Sequence, residues 1–254
     1  MNAVIVCVDF SDILQHTLAY NRHHFDKVLV VTDMKDYATC SVAIHNNAWY
    51  WQTNAFYRDG AVFNKWLALE EALEGKPQLF FDNKDGFMCV MDADVLWPKK
   101  LGRWKPKKGC IQGPNRRIKR NLREQPIVPP ENEWQSFPID EYQAEIPGYS
   151  QVFHLSDVNA LERPWYDTSF VHAGISDSLF QFRWKPELRL KTPWECLHLG
   201  PTGQNWYGRT VEYLNGNLPQ EHKVRIEMCN RIWENRNKNR KMGIDPYLNE
   251  RIKQ

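Results

Sequence analysis

Several absences narrow the class of this sequence before any motif is read. No apolar run approaches the roughly 18 residues that a membrane-spanning helix needs. The start, Met1 to Phe10, has no basic leader and no small-residue cleavage site, so it reads as a strand and not as a secretion signal. The six cysteines, at positions 7, 40, 89, 110, 196 and 229, include no C-x-x-C pair and no close spacing. Thiolate metal binding is therefore not expected, and Cys7 and Cys89, which sit inside apolar runs, read as small core residues. No Asn-x-Ser/Thr acceptor occurs, and together with the cysteine usage this predicts a reducing, cytoplasmic setting. A hydrophobic fraction of 42% with 25% charged residues excludes disorder as the main state. A length of 254 residues suits one α/β domain of ordinary size or two small ones.

One further absence is local. From Lys99 to Arg123 there are eleven Lys/Arg and no Asp or Glu. The rest of the chain then has 22 basic and 31 acidic residues, so the total of +2 is a +11 segment set into a −9 body. A single-sign block of this kind means a solvated loop, a disordered arm or an anion-binding surface.

The apolar patterning is that of alternating strands and helices. Ala3–Val8 is an unbroken apolar run ending in Asp9, as expected of a strand buried on both faces. Ser11 to His24 reads as a helix, with Ile13, Leu14, Thr17 and Leu18 on one face, and Val28–Val31 as a second buried strand closing on Thr32-Asp33. This is a βαβ unit. Phe63 to Leu73 is a helix stopped by Gly75, and Phe87–Met91 is a third buried strand leading into Asp92-Ala-Asp94. Val42 to Tyr57 is mixed. Gln125 to Pro147 is loop-like with five prolines, Gly148–Leu155 alternates like a half-buried strand, and a helix with a polar tail follows Glu221.

Asp92-Ala-Asp94 is the strongest chemical signal. Two carboxylates at the C-terminal end of a buried strand lie where open α/β sheets bind ligands. Oxygen ligands in that position suit Mg²⁺ or Mn²⁺ bridging to phosphates. By itself such a pair is also a common solvated turn. From here the chain resembles the GT-A family of nucleotide-sugar glycosyltransferases. The resemblance rests on the βαβ start, the helix before the D-x-D strand, the D-x-D itself and the late His198-Leu-Gly200 with Asn205-Trp206-Tyr-Gly208-Arg209. It covers roughly residues 1–210.

The resemblance implies an α/β fold with a mixed, mostly parallel central sheet flanked by helices. It implies one catalytic domain over 1–220, with a nucleotide-sugar half at about 1–98, a basic insert at 99–124 and an acceptor half at about 125–210. The remainder, 221–254, is the helix and tail. It implies an enzyme that moves a sugar from a nucleotide-diphosphate donor, most simply a UDP-sugar, to an acceptor hydroxyl with the aid of Mn²⁺ or Mg²⁺. Asp92, Asp94 and His198 become the metal ligands, Asp94 the first of them. Asp9, Phe10, Thr32, Asp33, Lys65, Asp92, Ala93, Gly200 and Arg209 become donor contacts, with Trp206 a stacking platform. Asp177 is the first choice for a general base and Glu195 the second. Turn or capping roles compete for Asp9, Asp33 and Asp177, and a solvated helix position competes for Lys65.

The basic segment directly follows the D-x-D, which places it at the rim of the expected site. Lys99, Lys100, Arg103, Trp104, Lys105, Lys107, Lys108, Arg116 and Arg117 then read as acceptor contacts for a polyanion. Hydroxymethylated pyrimidine in DNA is the favoured acceptor, as for a viral DNA-modifying enzyme working in the host cytoplasm. A lipid-linked or soluble glycan acceptor, a lid that closes on the donor, and a non-catalytic nucleic-acid-binding protein are the alternatives.

Overall fold

The computed structural model describes residues 1–75, 85–122, 124–140, 146, 148–159, 161, 163–174, 176–200 and 220–241. Eight strands form one sheet, in the order β3-β2-β1-β4-β7-β6-β8-β5. They are β1 (Asn2–Val6), β2 (Val28–Asp33), β3 (Trp49–Thr53), β4 (Phe87–Asp92), β5 (Val95–Leu96), β6 (Ile111–Lys119), β7 (Ser150–His154) and β8 (Arg189–Leu199). β1 pairs in parallel with β2 and β4, β2 with β3, and β6 with β8; β7 is antiparallel to both its neighbours and β5 to β8. The sheet is therefore mixed and mostly parallel. All strands except β5 and β7 point the same way, so their C-terminal ends share one edge.

The unbroken apolar runs follow from burial on both faces. Val4 and Val6 project into one layer with Leu29, Val31, Met88, Val90 and the helix α3 (Lys65–Gly75) through Trp66, Leu69 and Leu73. Ala3, Ile5 and Cys7 project into the other, with Val28, Val30, Cys89 and Met91 and with Leu14 and Leu18 of α1 (Ser11–Asn21). The helix expected over Ser11 to His24 ends at Asn21 and tightens into a 3-10 turn at Arg22–His24. All six cysteines are buried and none forms a disulfide. Among the described residues, no helix is long and apolar enough to cross a membrane.

Three expectations are corrected. The mixed stretch at Val42 to Tyr57 contains α2 (Tyr37–His45) ending inside it and the edge strand β3. Gly148–Leu155 is not half-buried: β7 lies between β4 and β6, and all five of its residues are buried. The basic insert is not one loop, because Ile111–Lys119 is β6, an interior strand. Among the described residues, two short helices, α4 (Leu155–Val158) and α5 (Ser176–Phe180), and the long α6 (Gln220–Lys241) are the remaining α-helices.

Candidate active site

Asp92 is the last residue of β4, and Ala93 and Asp94 turn the chain into β5. β5 then runs back along β8, with Val95 opposite His198. Because β4 and β8 point the same way, the ends carrying Asp92 and His198 come to one edge. The candidate ligand atoms of Asp92, Asp94 and His198 lie within 4.8 Å of one another. Asp94 and His198 are buried and Asp92 is half-buried.

Backbone geometry orients the imidazole. His198 Nδ1 is 3.1 Å from the Gly200 carbonyl oxygen. A carbonyl only accepts, so Nδ1 is the donor in this contact and Nε2 is the ring nitrogen that faces the acidic pair. That nitrogen lies 3.6 Å from Asp94 Oδ1. Gly200 has φ +107°, a left-handed value that favours glycine, and the turn there brings its carbonyl back over the ring. The Leu199 N–H donates to the Asp94 carbonyl at 2.8 Å and ties the two segments together. Two carboxylates and one imidazole nitrogen form a donor set that fits a divalent cation.

Lys65 is not a solvated helix residue. It is 4% exposed, opens α3, and makes an ion pair with Asp92 Oδ1. Asp177 lies in the first turn of α5, one residue past its start, so it is not the cap of that helix. It is buried, and its Oδ2 accepts the Gly148 N–H at 2.7 Å. Burial pushes its carboxyl pKa up, Lys65 pulls it down and Asp92 pushes it up again, which places Asp177 within the field of the same cluster. A raised folded-state pKa means that folding favours the neutral form more than the unfolded chain does. The stabilising contribution is present at low pH and is lost as pH rises through the folded value. Asp177→Asn is therefore expected to gain in melting temperature relative to the parent as pH is raised through and above the carboxylate range, read by thermal unfolding across pH. Gly148 leaves no room for a side chain, since a Cβ there would overlap the Asp177 carboxylate. Gly148→Ala is expected to cost about 1–3 kcal/mol in denaturant unfolding.

The loops after β1 and β2 meet through a residue that the sequence reading passed over. Asp36 caps α2 by accepting the Thr39 N–H at 3.0 Å. It also accepts the Asp9 N–H at 2.7 Å and the Thr32 hydroxyl at 3.0 Å. Asp9 takes the left-handed φ of +59° that aspartate tolerates, and Phe10, not Asp9, is the cap of α1. Asp33 accepts the Lys35 N–H at 2.9 Å, a turn role. The pattern Asp36-Tyr-Ala-Thr39 before a helical stretch is the capping signal that marks Asp36 in the sequence. Ala93 contributes its carbonyl to the Thr17 hydroxyl at 2.5 Å. Arg209 and Trp206 lie outside the described residues.

The expected acceptor contacts are not gathered at this edge. The loop after β5 runs down the sheet to its opposite, N-terminal edge. The Lys99 carbonyl is 3.2 Å from His23 Nε2, at the far end of α1. Lys108 is 3.6 Å from Asp85, which precedes β4, and the Gly109 N–H donates to Asp157 at 2.9 Å. At about 3.3 Å per residue, six-residue β4 separates that edge from Asp92 by close to 20 Å. Lys99, Lys100, Arg103, Lys105, Lys107 and Lys108 are exposed there. Trp104 packs on Trp97 and Trp194, with centroids 6.3 and 5.4 Å away. Arg116 is held by Asp140 at 2.5 Å and Arg117 by Glu195 at 2.6 Å, so neither Arg offers an open cation. The same pair takes the Glu195 carboxylate, which corrects its reading as an alternative base.

Among solved structures, the chain shares its fold with mannosyl-3-phosphoglycerate synthase from Rubrobacter xylanophilus: TM-score 0.50, 13% identity, 97% of this chain and 76% of that one. Glucosyl-3-phosphoglycerate synthase from Mycobacterium tuberculosis, solved with Mn²⁺, uridine diphosphate and glucosyl-3-phosphoglycerate, has TM-score 0.47 and 12% identity over 84% of this chain and 74% of its own. The galactosyltransferase LgtC, solved with donor and acceptor sugar analogues, has TM-score 0.42 and 12% identity over 89% and 100%. No family profile and no curated protein sequence matches the chain. These structural neighbours are glycosyltransferases, and the curled, mostly parallel sheet with flanking helices is of the GT-A kind.

Proposed function

We propose that the protein is a metal-dependent glycosyltransferase that takes a sugar from a nucleotide-diphosphate donor, with UDP-sugar and Mn²⁺ as the favoured donor and ion. The observation that carries this reading is the Asp92, Asp94 and His198 cluster at the C-terminal edge, with buried Lys65 beside it. Imidazole among the ligands tilts the choice from Mg²⁺ toward Mn²⁺. A divalent cation bound there would supply Lewis-acid stabilisation of charge on the departing diphosphate.

The chain's own residues do the rest. Asp94 and His198 hold their ligand atoms in place through backbone contacts made before any donor arrives. Lys65 adds a positive charge at the same edge, where it offsets charge on the leaving group. Asp9, Thr32 and Asp33, held together through Asp36, line with Phe10 the β1 and β2 ends on which a nucleoside would rest. Asp177 is positioned by Gly148 and remains the candidate acid–base group on the acceptor side.

The acceptor hydroxyl has to enter over the C-terminal edge. The basic strip lies at the other end of the sheet, so the physical argument for DNA as acceptor falls, and a soluble or lipid-linked glycan acceptor is the reading retained. Mn²⁺ with UDP at about 100 times its dissociation constant is expected to add about 2.7 kcal/mol, or roughly 5–10 °C in melting temperature. A flat response to that pair overturns the assignment. Transfer of labelled sugar from a donor panel to DNA, lipid and free-sugar acceptors then tests the acceptor class.

A further inference from the structure

We propose that the N-terminal edge of the sheet, between α1 and the Lys99–Lys108 loop, is a binding groove for the phosphate backbone of a single-stranded nucleic acid. This goes beyond glycosyl transfer and does not depend on it, because the groove and the metal cluster lie at opposite ends of the strands.

The first observation is charge that the fold leaves unused. Of the eleven basic residues in the strip, Arg116 and Arg117 are paired, Lys119 is buried with its Nζ donating to the carbonyls of Glu124 and Pro126, both at 2.6 Å, Arg120 is exposed past the C-terminal end of β6, and Arg123 lies outside the described residues. The six of the descending loop, Lys99, Lys100, Arg103, Lys105, Lys107 and Lys108, are all exposed. The carboxylates facing them are few. Asp85 stands 3.6 Å from Lys108, Asp157 accepts the Gly109 N–H and lies in the field of Lys108, and Glu131 accepts both the Tyr20 hydroxyl and the Lys99 N–H. His24 beside the loop is held neutral, since burial lowers its pKa to about 4.

The second observation is that the backbone carrying these cations is held at both ends and at its middle. Trp104 is wedged against Trp97 and Trp194, and the loop is pinned at Lys99 and Gly109 by the bonds described above. Little chain entropy is lost when such a loop meets a ligand.

The third observation is shape. Lys99 and Lys100 line a cavity of about 700 Å³ with His16, His23 and Tyr20 of the α1 segment. They also line a neighbouring one of about 620 Å³ that continues along Pro129, Pro130 and Asn132. The two are shallow and open and adjoin at Tyr20, Lys99, Lys100 and Val128, a surface that a single phosphodiester strand can follow. A bilayer surface is the poorer fit, because none of the exposed large apolar side chains among the described residues belongs to this loop. Tyr20 has Lys99 Nζ over its ring at 5.3 Å and Trp134 at 6.2 Å, so it is a wall and not a platform. Recognition is then through phosphates and independent of base sequence.

The test is fluorescence anisotropy of a labelled oligothymidylate between about 50 and 200 mM salt, on the whole chain. The expected result is binding that weakens steeply with salt. In Lys99→Gln/Lys100→Gln the log–log slope should be shallower by about 1.4, from two lost contacts at about 0.7 each. Asp94→Ala should leave the curve unchanged. Absence of binding at the lowest salt, an unchanged slope in the double variant, or loss of binding in Asp94→Ala would each overturn the proposal. Binding to phosphatidylserine vesicles without binding to the oligonucleotide would overturn it as well. Both lysines are exposed, and an unchanged melting temperature of the double variant shows that the fold is intact.

Discussion

Replacing Asp94 by alanine is expected to abolish the Mn²⁺-dependent stabilisation by UDP and to lower sugar transfer by about 10³-fold, while leaving the melting temperature within a few degrees of the parent. The reason lies in which atoms of Asp94 do which work. Its carbonyl takes the Leu199 N–H and holds the β5 and β8 ends together, and alanine keeps that bond. Its carboxylate faces His198 Nε2 and the Asp92 side chain. On the proposed reading, removing one of three ligands would take away the Lewis-acid contribution, worth several kcal/mol, and each 1.36 kcal/mol is about tenfold in rate. His198→Ala should lose the UDP response in the same way. If Asp94→Ala kept the response in a thermal-shift titration, the metal assignment would be wrong whatever happened to activity.

Arg116→Ala is expected to have the opposite signature, a large loss of stability with no specific effect on the groove at the far edge. Arg116 Nη2 and Nε lie 2.5 and 2.6 Å from Asp140 Oδ2, with side chains only 11% and 8% exposed. The guanidinium also covers the Tyr149 ring at 4.5 Å. Truncation strands the Asp140 charge in a buried setting, a loss of about 3–5 kcal/mol, or roughly 6–20 °C for a chain of this size. Replacing both partners by apolar residues, Arg116→Met with Asp140→Leu, should recover most of it, because no charge is then left unpaired. Calorimetry of the two variants checks both statements. An Arg116→Ala protein as stable as the parent would return this side chain to the pool of free cations.

The strands that build the two core layers were legible because burial on both faces leaves an unbroken apolar signature, as in Ala3–Val8 and Phe87–Met91. The Asp92, Asp94 and His198 grouping was reachable because two of its members are adjacent to such a strand and the family resemblance supplied the third. β3 was not legible: Trp49-Tyr50-Trp51-Gln-Thr53 is an edge strand, exposed at Trp49 and Tyr50 and half-buried at Trp51, and carries no clean period of two. β6 was hidden by its charges. Arginines inside a sheet read as a solvated loop unless Asp140 and Glu195, 24 and 78 residues away, are known to be waiting for them. Asp36 had a local signal in its capping pattern, but its bond to the Asp9 N–H follows only from the way β1 and β2 pair.

The sequence by itself determined the alternating α/β class, the buried parallel strands and the acidic pair at the end of one of them. These are set by local periodicity and by the chemistry of neighbouring residues. Tertiary structure alone decided where the +11 segment lies. Adjacency in the chain placed it beside the acidic pair, but β5 turns back along β8 and carries the following loop down to the opposite edge. The six cations of that loop are thereby exposed about one strand length from Asp92, Asp94 and His198, while Arg116 and Arg117 are ion-paired and Lys119 is buried within the sheet.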